Sequence, residues 1–165
     1  MLSILKNKLF SISDLLPVVR NRKSGGEKLV FTNGCFDLIH VGHLRYLEKA
    51  RCLGDFLVIG LNSDISVRAL KGEGRPFVTE MERAEVLSAL VFVDYIVIFS
   101  ESRPDRLIEQ LMPDIHVKGG DYKEKELPER TIVESYGGKV IIVELVPGKS
   151  TTFMAEEISR KFNFS

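Results

Sequence analysis

A short apolar run that passes through a glycine turn into a helix start constrains the fold more than any other stretch of the chain. The run extends from Leu29 to Gly34, and the helix is expected to begin near Val41. Strands that lead directly into helices are typical of parallel α/β sheets, whose strands are buried on both faces. The sequence therefore predicts a helix amino terminus at the carboxyl edge of a sheet.

Two histidines occupy that helix start. His40 and His43 are three residues apart and share one side of the helix, and Gly42 between them leaves room for an anion to approach the backbone. Unpaired N–H groups and the helix dipole also favour anions there. We interpret the stretch as a phosphate-binding site. A packed core histidine and half of a metal site are the alternatives, although no third ligand set is evident in the sequence.

Four further apolar runs alternate with helical segments. They cover residues 56–61, 95–99, 115–117 and 140–146, and a capping box at Thr79–Glu82 begins one of the helices. The pattern predicts a single doubly wound, Rossmann-like α/β domain over residues 29–165, with a five-stranded parallel sheet. Residues 1–28 are expected to form a helical arm at the amino terminus.

Composition narrows the class of protein. The 23 basic and 23 acidic residues cancel, so the chain lacks the positive charge of a general nucleic-acid binder. No run approaches the roughly 20 apolar residues of a membrane span. Cys35 and Cys52 are the only cysteines and are expected to be free thiols. We therefore expect a cytoplasmic protein that binds neither nucleic acid nor membranes.

Three other places in the sequence carry groups suited to anions. Residues 66–78 read as a glycine-broken basic loop with Lys71 and Arg75, either a clamp that closes on a triphosphate or a solvated loop. Arg83 follows in the first turn of a helix, where a cation opposes the dipole, and this favours a role toward a ligand. Hydroxyl groups at Ser150, Thr151 and Thr152 start the last helix and predict a second anion site, with ordinary capping as the alternative.

The motifs resemble those of a known superfamily. Asn33-Gly34-Cys35-Phe36-Asp37 followed by His40-Val41-Gly42-His43 is similar to the HxGH nucleotidyltransferases, which transfer a nucleotidyl group from a nucleoside triphosphate and release pyrophosphate. Residues 61–64, 70–72 with Arg75-Pro76, 118–122 and 150–152 sharpen the resemblance to the D-glycero-β-D-manno-heptose 1-phosphate adenylyltransferases. Because no sugar kinase domain is seen in the sequence, we expect the stand-alone form of that enzyme.

The resemblance implies an activity and a set of site residues. The reaction joins ATP to the sugar 1-phosphate and gives ADP-heptose and pyrophosphate for lipopolysaccharide or other surface glycans. Magnesium is expected on the phosphates of ATP rather than on protein ligands, and a homodimer is left open. The implied catalytic residues are His40, His43, Lys71 and Arg83. The implied nucleotide-binding residues are Asn33, Gly34, Cys35, Phe36, His40, Gly42, His43, Lys118, Gly119, Asp121, Ser150, Thr151 and Thr152. The implied residues for the sugar phosphate are Asp37, Asn62, Asp64 and Arg75.

Two other functions stay open. Related cytidylyltransferases carry an arginine shortly before the Ser-Thr-Thr element, whereas this chain has Lys149 there, and a lysine does not reproduce the guanidinium fork. The departure leaves a glycerol-3-phosphate cytidylyltransferase-like enzyme as the runner-up. A non-catalytic domain that senses nucleotides is the alternative from a different class.

Overall fold

The computed structural model describes residues 3–120, 127–144, 148 and 150–162. The predicted nucleotide-binding residue Asp121 lies outside the described residues. So does Lys149, which stands where related cytidylyltransferases carry an arginine. The helices and strands follow in the order α1 (Ser3–Lys8), β1 (Leu9–Phe10), α2 (Ile12–Ser24), β2 (Leu29–Gly34), α3 (Val41–Arg51), β3 (Phe56–Asn62), α4 (Asp64–Lys71), α5 (Glu80–Ser88), β4 (Tyr95–Phe99), α6 (Asp105–Leu111), β5 (Ile115–Gly119), α7 (Arg130–Ser135), β6 (Lys139–Val143) and α8 (Thr151–Phe162).

The strands form one parallel sheet in the order β1-β4-β3-β2-β5-β6. From β2 the chain builds the sheet toward β3 and β4, and it later returns to the other side of β2 to add β5 and β6. Strands β2 and β5 are therefore neighbours whose connections run in opposite directions. Such a switch point leaves a crevice at the carboxyl ends of the strands, where ligands of doubly wound folds bind.

The predicted α/β fold with a parallel sheet is confirmed, but the predicted number of five strands is wrong. The sixth strand is β1, which places Leu9 opposite Ile96 and Phe10 opposite Val97 at the edge of the sheet. A strand of two residues is too short to show an alternating or apolar pattern. The helix α2 that follows it buries Leu15 in the same cluster as Phe56 of the sheet. The domain boundary at residue 28 stays a prediction.

The basic loop predicted at residues 66–78 is shorter than expected. Asp64–Lys71 is the helix α4, and only residues 72–79 connect it to α5. Ser63 is the N-cap of α4, and its side chain accepts a hydrogen bond from the Ser66 N–H at 3.2 Å. The helix carries Lys71 to its last position, at the edge of the crevice.

The two helix starts that the sequence predicted are present. Helix α3 begins at Val41, and its inward-facing Leu47 and Ala50 are fully buried against the sheet. Helix α5 begins with a capping box in which the Thr79 hydroxyl and the Glu82 carboxylate satisfy backbone N–H groups. These contacts fix the entry of both helices next to the carboxyl edge of the sheet.

Candidate active site

A cavity of about 560 Å³ lies at the carboxyl ends of the central strands. It is bounded by the β2–α3 turn, the end of β5, the end of α4 with the connection that follows, and the start of α8. The predicted site residues that line it are Asn33, Gly34, Cys35, Phe36, Asp37, His43, Asn62, Lys71, Arg75, Lys118, Gly119, Ser150, Thr151 and Thr152. Residues from six separate segments therefore meet at one surface.

Four predicted site residues do not line this cavity. His40 and Gly42 belong to the helix start beside it, and Asp64 and Arg83 lie behind the strand ends. Their assignments as catalytic, nucleotide-binding or substrate-binding groups stay predictions. Their contacts hold the helix start and the strand ends that carry the residues lining the cavity.

The two imidazole rings are fixed by the helix start itself. Their centroids are 3.9 Å apart and their planes differ by 25°. The Nδ1 of His40 accepts the Gly42 N–H at 3.1 Å, and the Nδ1 of His43 accepts the His40 N–H at 3.4 Å. Because both Nδ1 atoms are acceptors, the ring proton of a neutral imidazole is on Nε2. The Nε2–H of His43, which lines the cavity, is thus a hydrogen-bond donor for a ligand.

The imidazole of His43 is neutral. Burial, followed by repulsion from His40, lowers the pKa of His43 to about 4. The ring is therefore uncharged at neutral pH. It contributes an oriented N–H dipole to the helix mouth, and full positive charge in the cavity has to come from lysine and arginine.

Arg83 supports the cavity from behind. Its side chain is 1% exposed. Its Nε donates to the Val78 carbonyl at 2.9 Å, one Nη donates to the carbonyls of Cys35 and Asn62, and the other donates to Asp64 Oδ1 at 2.8 Å. The guanidinium thereby ties the β2–α3 turn and the end of β3 to the start of α4 and α5.

The turn that Arg83 holds contains an unusual backbone conformation. Phe36 has φ of 44°, in the left-handed region that residues other than glycine seldom adopt. Its buried ring lies 5.5 Å from the ring of His43. Next to it, burial raises the pKa of the Cys35 thiol even though Lys71 and Arg83 oppose the shift. Cys35 is therefore a thiol at neutral pH, and a thiolate nucleophile is disfavoured.

The carboxylate of Asp37 is fully occupied by donors from the protein. Oδ1 accepts the N–H groups of Leu38 and Val78, each at 3.2 Å, and Oδ2 accepts Arg75 Nε at 2.7 Å. The Phe77 N–H contacts both oxygens at 3.0 and 3.1 Å. An ionised carboxylate only accepts hydrogen bonds and has about four acceptor positions. Asp37 thus has little capacity left for a hydroxyl group of a substrate.

Lys118 is also paired within the protein. Its Nζ lies 2.9 Å from Glu129 Oε1 and donates to Asn33 Oδ1 at 2.9 Å. Burial alone would raise the pKa of Glu129, but the charge and the hydrogen bond of Lys118 outweigh it and hold the pKa below its usual range. The end of the cavity beside β5 is therefore close to electrically neutral. Lys71, which makes no ion pair with any residue in the described part of the chain, leaves the α4 side positive.

A model of the cytidylyltransferase-like family matches residues 31–163, which include the helix mouth, the cavity and the start of α8. The chain belongs to this family. Its members are nucleotidyltransferases, and the resemblance to the HxGH superfamily is confirmed.

Relatives of the cytidylyltransferase-like chain include proteins named "Bifunctional protein HldE". That of Geotalea uraniireducens is 55% identical over 151 residues, which are 92% of this chain and 31% of the relative. That of Geobacter metallireducens is 52% identical over 155 residues, 94% of this chain and 32% of the relative. The chain thus spans about a third of the length of these curated relatives.

Solved structures agree with the family assignment. A lipopolysaccharide core biosynthesis protein from Thermoplasma volcanium has a TM-score of 0.59 and 29% identity, over 73% of this chain and 98% of its own. A pantoate-beta-alanine ligase from Francisella tularensis has a TM-score of 0.64 at 15% identity, over 96% of this chain and 80% of its own. The second likeness shows the shared fold alone. In the described residues of the cytidylyltransferase-like chain, no helix is long and apolar enough to cross a membrane.

Five residues that line the cavity were not predicted from the sequence: Tyr46, Leu70, Ser102, Pro104 and Glu129. Glu129 belongs to a run of alternating charges from Lys123 to Arg130, which is typical of a solvated surface. Tyr46 lies on α3. Its hydroxyl donates to the Val117 carbonyl at 3.0 Å and accepts from Thr32 at 2.6 Å, which joins α3 to β2 and β5 beneath the cavity. No signal in a single sequence distinguishes either residue from its ordinary neighbours.

The acidic side chains of the site that the structure describes do not form a magnesium cage. Asp37 is saturated by protein donors, Glu129 is paired with Lys118, and Asp64 is paired with Arg83. Among the described residues, no cluster of three histidine, cysteine or acidic side chains could hold a metal ion. These three carboxylates are therefore already bound by donors from the protein and do not fit a magnesium site of their own.

Proposed function

We propose that this nucleotidyltransferase joins ATP to D-glycero-β-D-manno-heptose 1-phosphate and releases pyrophosphate. One observation carries the proposal: the His43 donor, Lys71 and Arg75 line one cavity at a helix amino terminus, and within the described ranges Lys71 makes no ion pair. The cavity belongs to a chain that is half identical to proteins named HldE. The name "bifunctional" indicates that these relatives have two activities. Because the chain covers about a third of their length, we infer that it carries one of the two.

The proposed reaction needs no general base. A sugar phosphate is already an anionic nucleophile at neutral pH, and one of its oxygens forms a bond to the α-phosphorus of ATP. The bond between that phosphorus and the bridging oxygen to the β-phosphorus breaks, and pyrophosphate leaves with the electron pair. Catalysis then consists of alignment and of stabilising the charge that develops on phosphate oxygens.

The described side chains supply those two functions in separate parts of the cavity. In the proposal, the Nε2–H group of His43 and the backbone N–H groups around Gly34 donate to phosphate oxygens at the helix mouth, and His40 supports that helix start from beside the cavity. Lys71 and Arg75 balance the negative charge. Magnesium would arrive on the phosphates of ATP and add further charge neutralisation.

Other residues of the cavity suit the uncharged parts of the substrates. Asn62, at the end of β3, uses its Nδ2 to donate to Ser66 Oγ at 2.8 Å, so its Oδ1 is the atom left to accept from a hydroxyl of the heptose. Ser150 Oγ accepts the Phe153 N–H at 3.0 Å and caps α8, while the neighbouring Thr151 and Thr152 also line the cavity. In the proposal these three residues and Lys118 contact the nucleotide. The cytoplasm is the compartment in which we expect the reaction, because ATP is available there.

A glycerol-3-phosphate cytidylyltransferase-like activity is the second candidate, and the family description "Cytidylyltransferase-like" favours it specifically. The test is a matrix of ATP and CTP against heptose 1-phosphate and glycerol 3-phosphate, with pyrophosphate release as the readout. Turnover confined to ATP and heptose 1-phosphate supports the first proposal, and turnover with CTP supports the second. Nucleotide binding without turnover for any acceptor supports a nucleotide-sensing domain. Sedimentation in the same buffer would test the homodimer.

A further inference from the structure

The contact between Asp37 and Arg75 joins two segments that are distant in the sequence. Asp37 lies in the turn between β2 and α3, and Arg75 lies in the connection between α4 and α5. The side chain of Asp37 is 1% exposed, so this ion pair is shielded from solvent on the carboxylate side. Two backbone N–H groups of the same connection, from Phe77 and Val78, bind the same carboxylate. The connection is therefore held against the helix mouth at several points.

The other end of Arg75 is left for a ligand. Its Nε is bound to Asp37, and its guanidinium carbon lies 4.6 Å from the centroid of the Phe77 ring. The two Nη groups make no hydrogen bond with any residue in the part of the chain that the structure describes. The Arg75 side chain is 17% exposed and lines the cavity. One edge and one face of the guanidinium are thus fixed, and the Nη edge remains available.

We propose that Asp37 is a positioning residue that acts through Arg75. It orients the guanidinium so that the free Nη edge binds phosphate oxygens in the cavity, and this proposal rests on the proposed function. A guanidinium matches the spacing of phosphate oxygens with parallel N–H groups. Prior fixation by the carboxylate reduces the side-chain entropy that binding would otherwise cost. Asp37 therefore affects phosphate binding without touching a substrate.

Phosphate oxygens occur in both proposed substrates. The polyphosphate of ATP and the phosphate of the acceptor offer the same chemistry to Arg75. The Michaelis constants of Arg75→Ala distinguish the two sources, because the constant that rises identifies the phosphate that Arg75 contacts. The wild-type chain and each variant are therefore titrated with both substrates separately.

Chemical rescue tests the positioning role directly. We expect Arg75→Ala to lower kcat/KM by about 100-fold, as for the loss of a preorganised charged donor. Millimolar guanidinium should restore at least about tenfold of that loss, because it can bind between the Asp37 carboxylate and the phosphate. In Asp37→Asn/Arg75→Ala the same guanidinium should restore less than about twofold, since the carboxylate that holds it is gone. A residue that merely stabilised the fold would not change the rescue.

A matched control is present at the other end of the sheet. The Asp94 carboxylate accepts Arg51 Nε at 3.0 Å and the Leu57 N–H at 2.8 Å, a similar arrangement away from the cavity. Asp94→Asn should leave both Michaelis constants and the rescue of Arg75→Ala unchanged. Arg75→Lys leaves Asp37 intact, so it still tests the contact between the two residues if Asp37→Asn fails to fold. We expect it to retain less than about a tenth of the activity, because an ammonium group lacks the fork that spans both partners.

Two results would overturn the proposal: equal rescue by guanidinium with and without Asp37, or full activity in Arg75→Lys. Failure of the proposed function has a different signature, which is no turnover by the wild-type chain with any substrate pair. In that case calorimetry with inorganic pyrophosphate tests Asp37 and Arg75 independently. Binding weakened at least about tenfold in both Asp37→Asn and Arg75→Ala supports the positioning role. Equal binding by the three proteins, or none by the wild type, contradicts it.

Discussion

The rings of His40 and His43 stack with their centroids 3.9 Å apart, and each Nδ1 is bound by a backbone N–H of the same helix turn. The helix start thus uses both imidazoles as caps while it directs the opposite ring atom of His43 to the cavity. One motif therefore serves two purposes. It satisfies N–H groups that would otherwise lack partners, and it leaves the Nε2–H of His43 as a donor beside the remaining N–H groups of a helix start, which is a setting that favours anions.

Replacing His43 with alanine should reduce kcat by at least about 100-fold, close to 3 kcal/mol of transition-state stabilisation, by analogy with the loss of one preorganised donor. The reason is the loss of a neutral Nε2–H whose direction the helix fixes. Pyrophosphate release under saturating substrate measures the effect. His116→Phe is the control for loss of an imidazole outside the cavity and should keep its kcat. A nearly normal rate in His43→Ala would remove His43 from the mechanism.

His116 predicts a pH dependence of stability. It is fully buried against Phe31, and neither ring nitrogen has a hydrogen-bond partner among the described residues. Burial lowers its pKa from 6.5 to about 3, with Lys118 as the next cause. Below pH 6.5 the unfolded chain binds a proton that the folded chain does not, so folding stability falls as pH decreases toward 3.

His116→Phe should remove this contribution. The variant buries no unpartnered nitrogen and has no proton to take up, so it should gain stability at every pH. We expect the gain to be larger at pH 5 than at pH 8 by about 2 kcal/mol, from the difference between the two titration curves. Urea unfolding at the two pH values measures it. An equal change at both would show that His116 titrates normally in the folded protein.

The pair of Lys118 and Glu129 predicts strong coupling. The side chains are 16% and 7% exposed, and Glu129 Oε2 has no hydrogen-bond partner within the described ranges. Lys118→Met leaves a buried carboxylate without its counter-charge and should cost about 3 kcal/mol of unfolding free energy. Lys118→Met/Glu129→Gln should cost less than the lysine replacement alone. Chemical unfolding of the two single variants and the double variant completes the cycle, and simple additivity would contradict the coupling.

Much of the framework was predictable from the sequence because it depends on local patterns. The run from Leu29 to Gly34, the helix start near Val41 and the capping signal at Thr79 each specify an element and its direction. Parallel pairing then requires the glycine turns to meet at one edge of the sheet. Most residues that line the cavity were instead implied by the resemblance to the HxGH nucleotidyltransferases.

Pairwise contacts between distant segments could not be predicted in the same way. Nothing near Asp37 in the sequence indicates that its carboxylate is occupied by residues 75–78. Nothing near Lys118 indicates that Glu129 neutralises it. The edge strand β1 depends on the partner strand β4 and not on its own two residues. In each case the decisive partner is a group that only the folded sheet brings close.

For Arg83, the role predicted from the sequence and the role indicated by its contacts in the structure differ. The sequence assigns it to charge neutralisation on the substrate, whereas its contacts are three carbonyl groups and Asp64. Arg83→Lys should therefore lower the unfolding free energy by about 3 kcal/mol, because an ammonium group cannot satisfy four acceptors in these directions and leaves buried carbonyls unpaired. Activity should fall in parallel, as the turn at Cys35 loses its support. Arg103→Lys, at a side chain that is 47% exposed, should change stability by no more than about 0.5 kcal/mol. If Arg83→Lys keeps full stability and still loses activity, direct contact with the substrate is the better explanation, and thermal unfolding measured alongside pyrophosphate release separates the two.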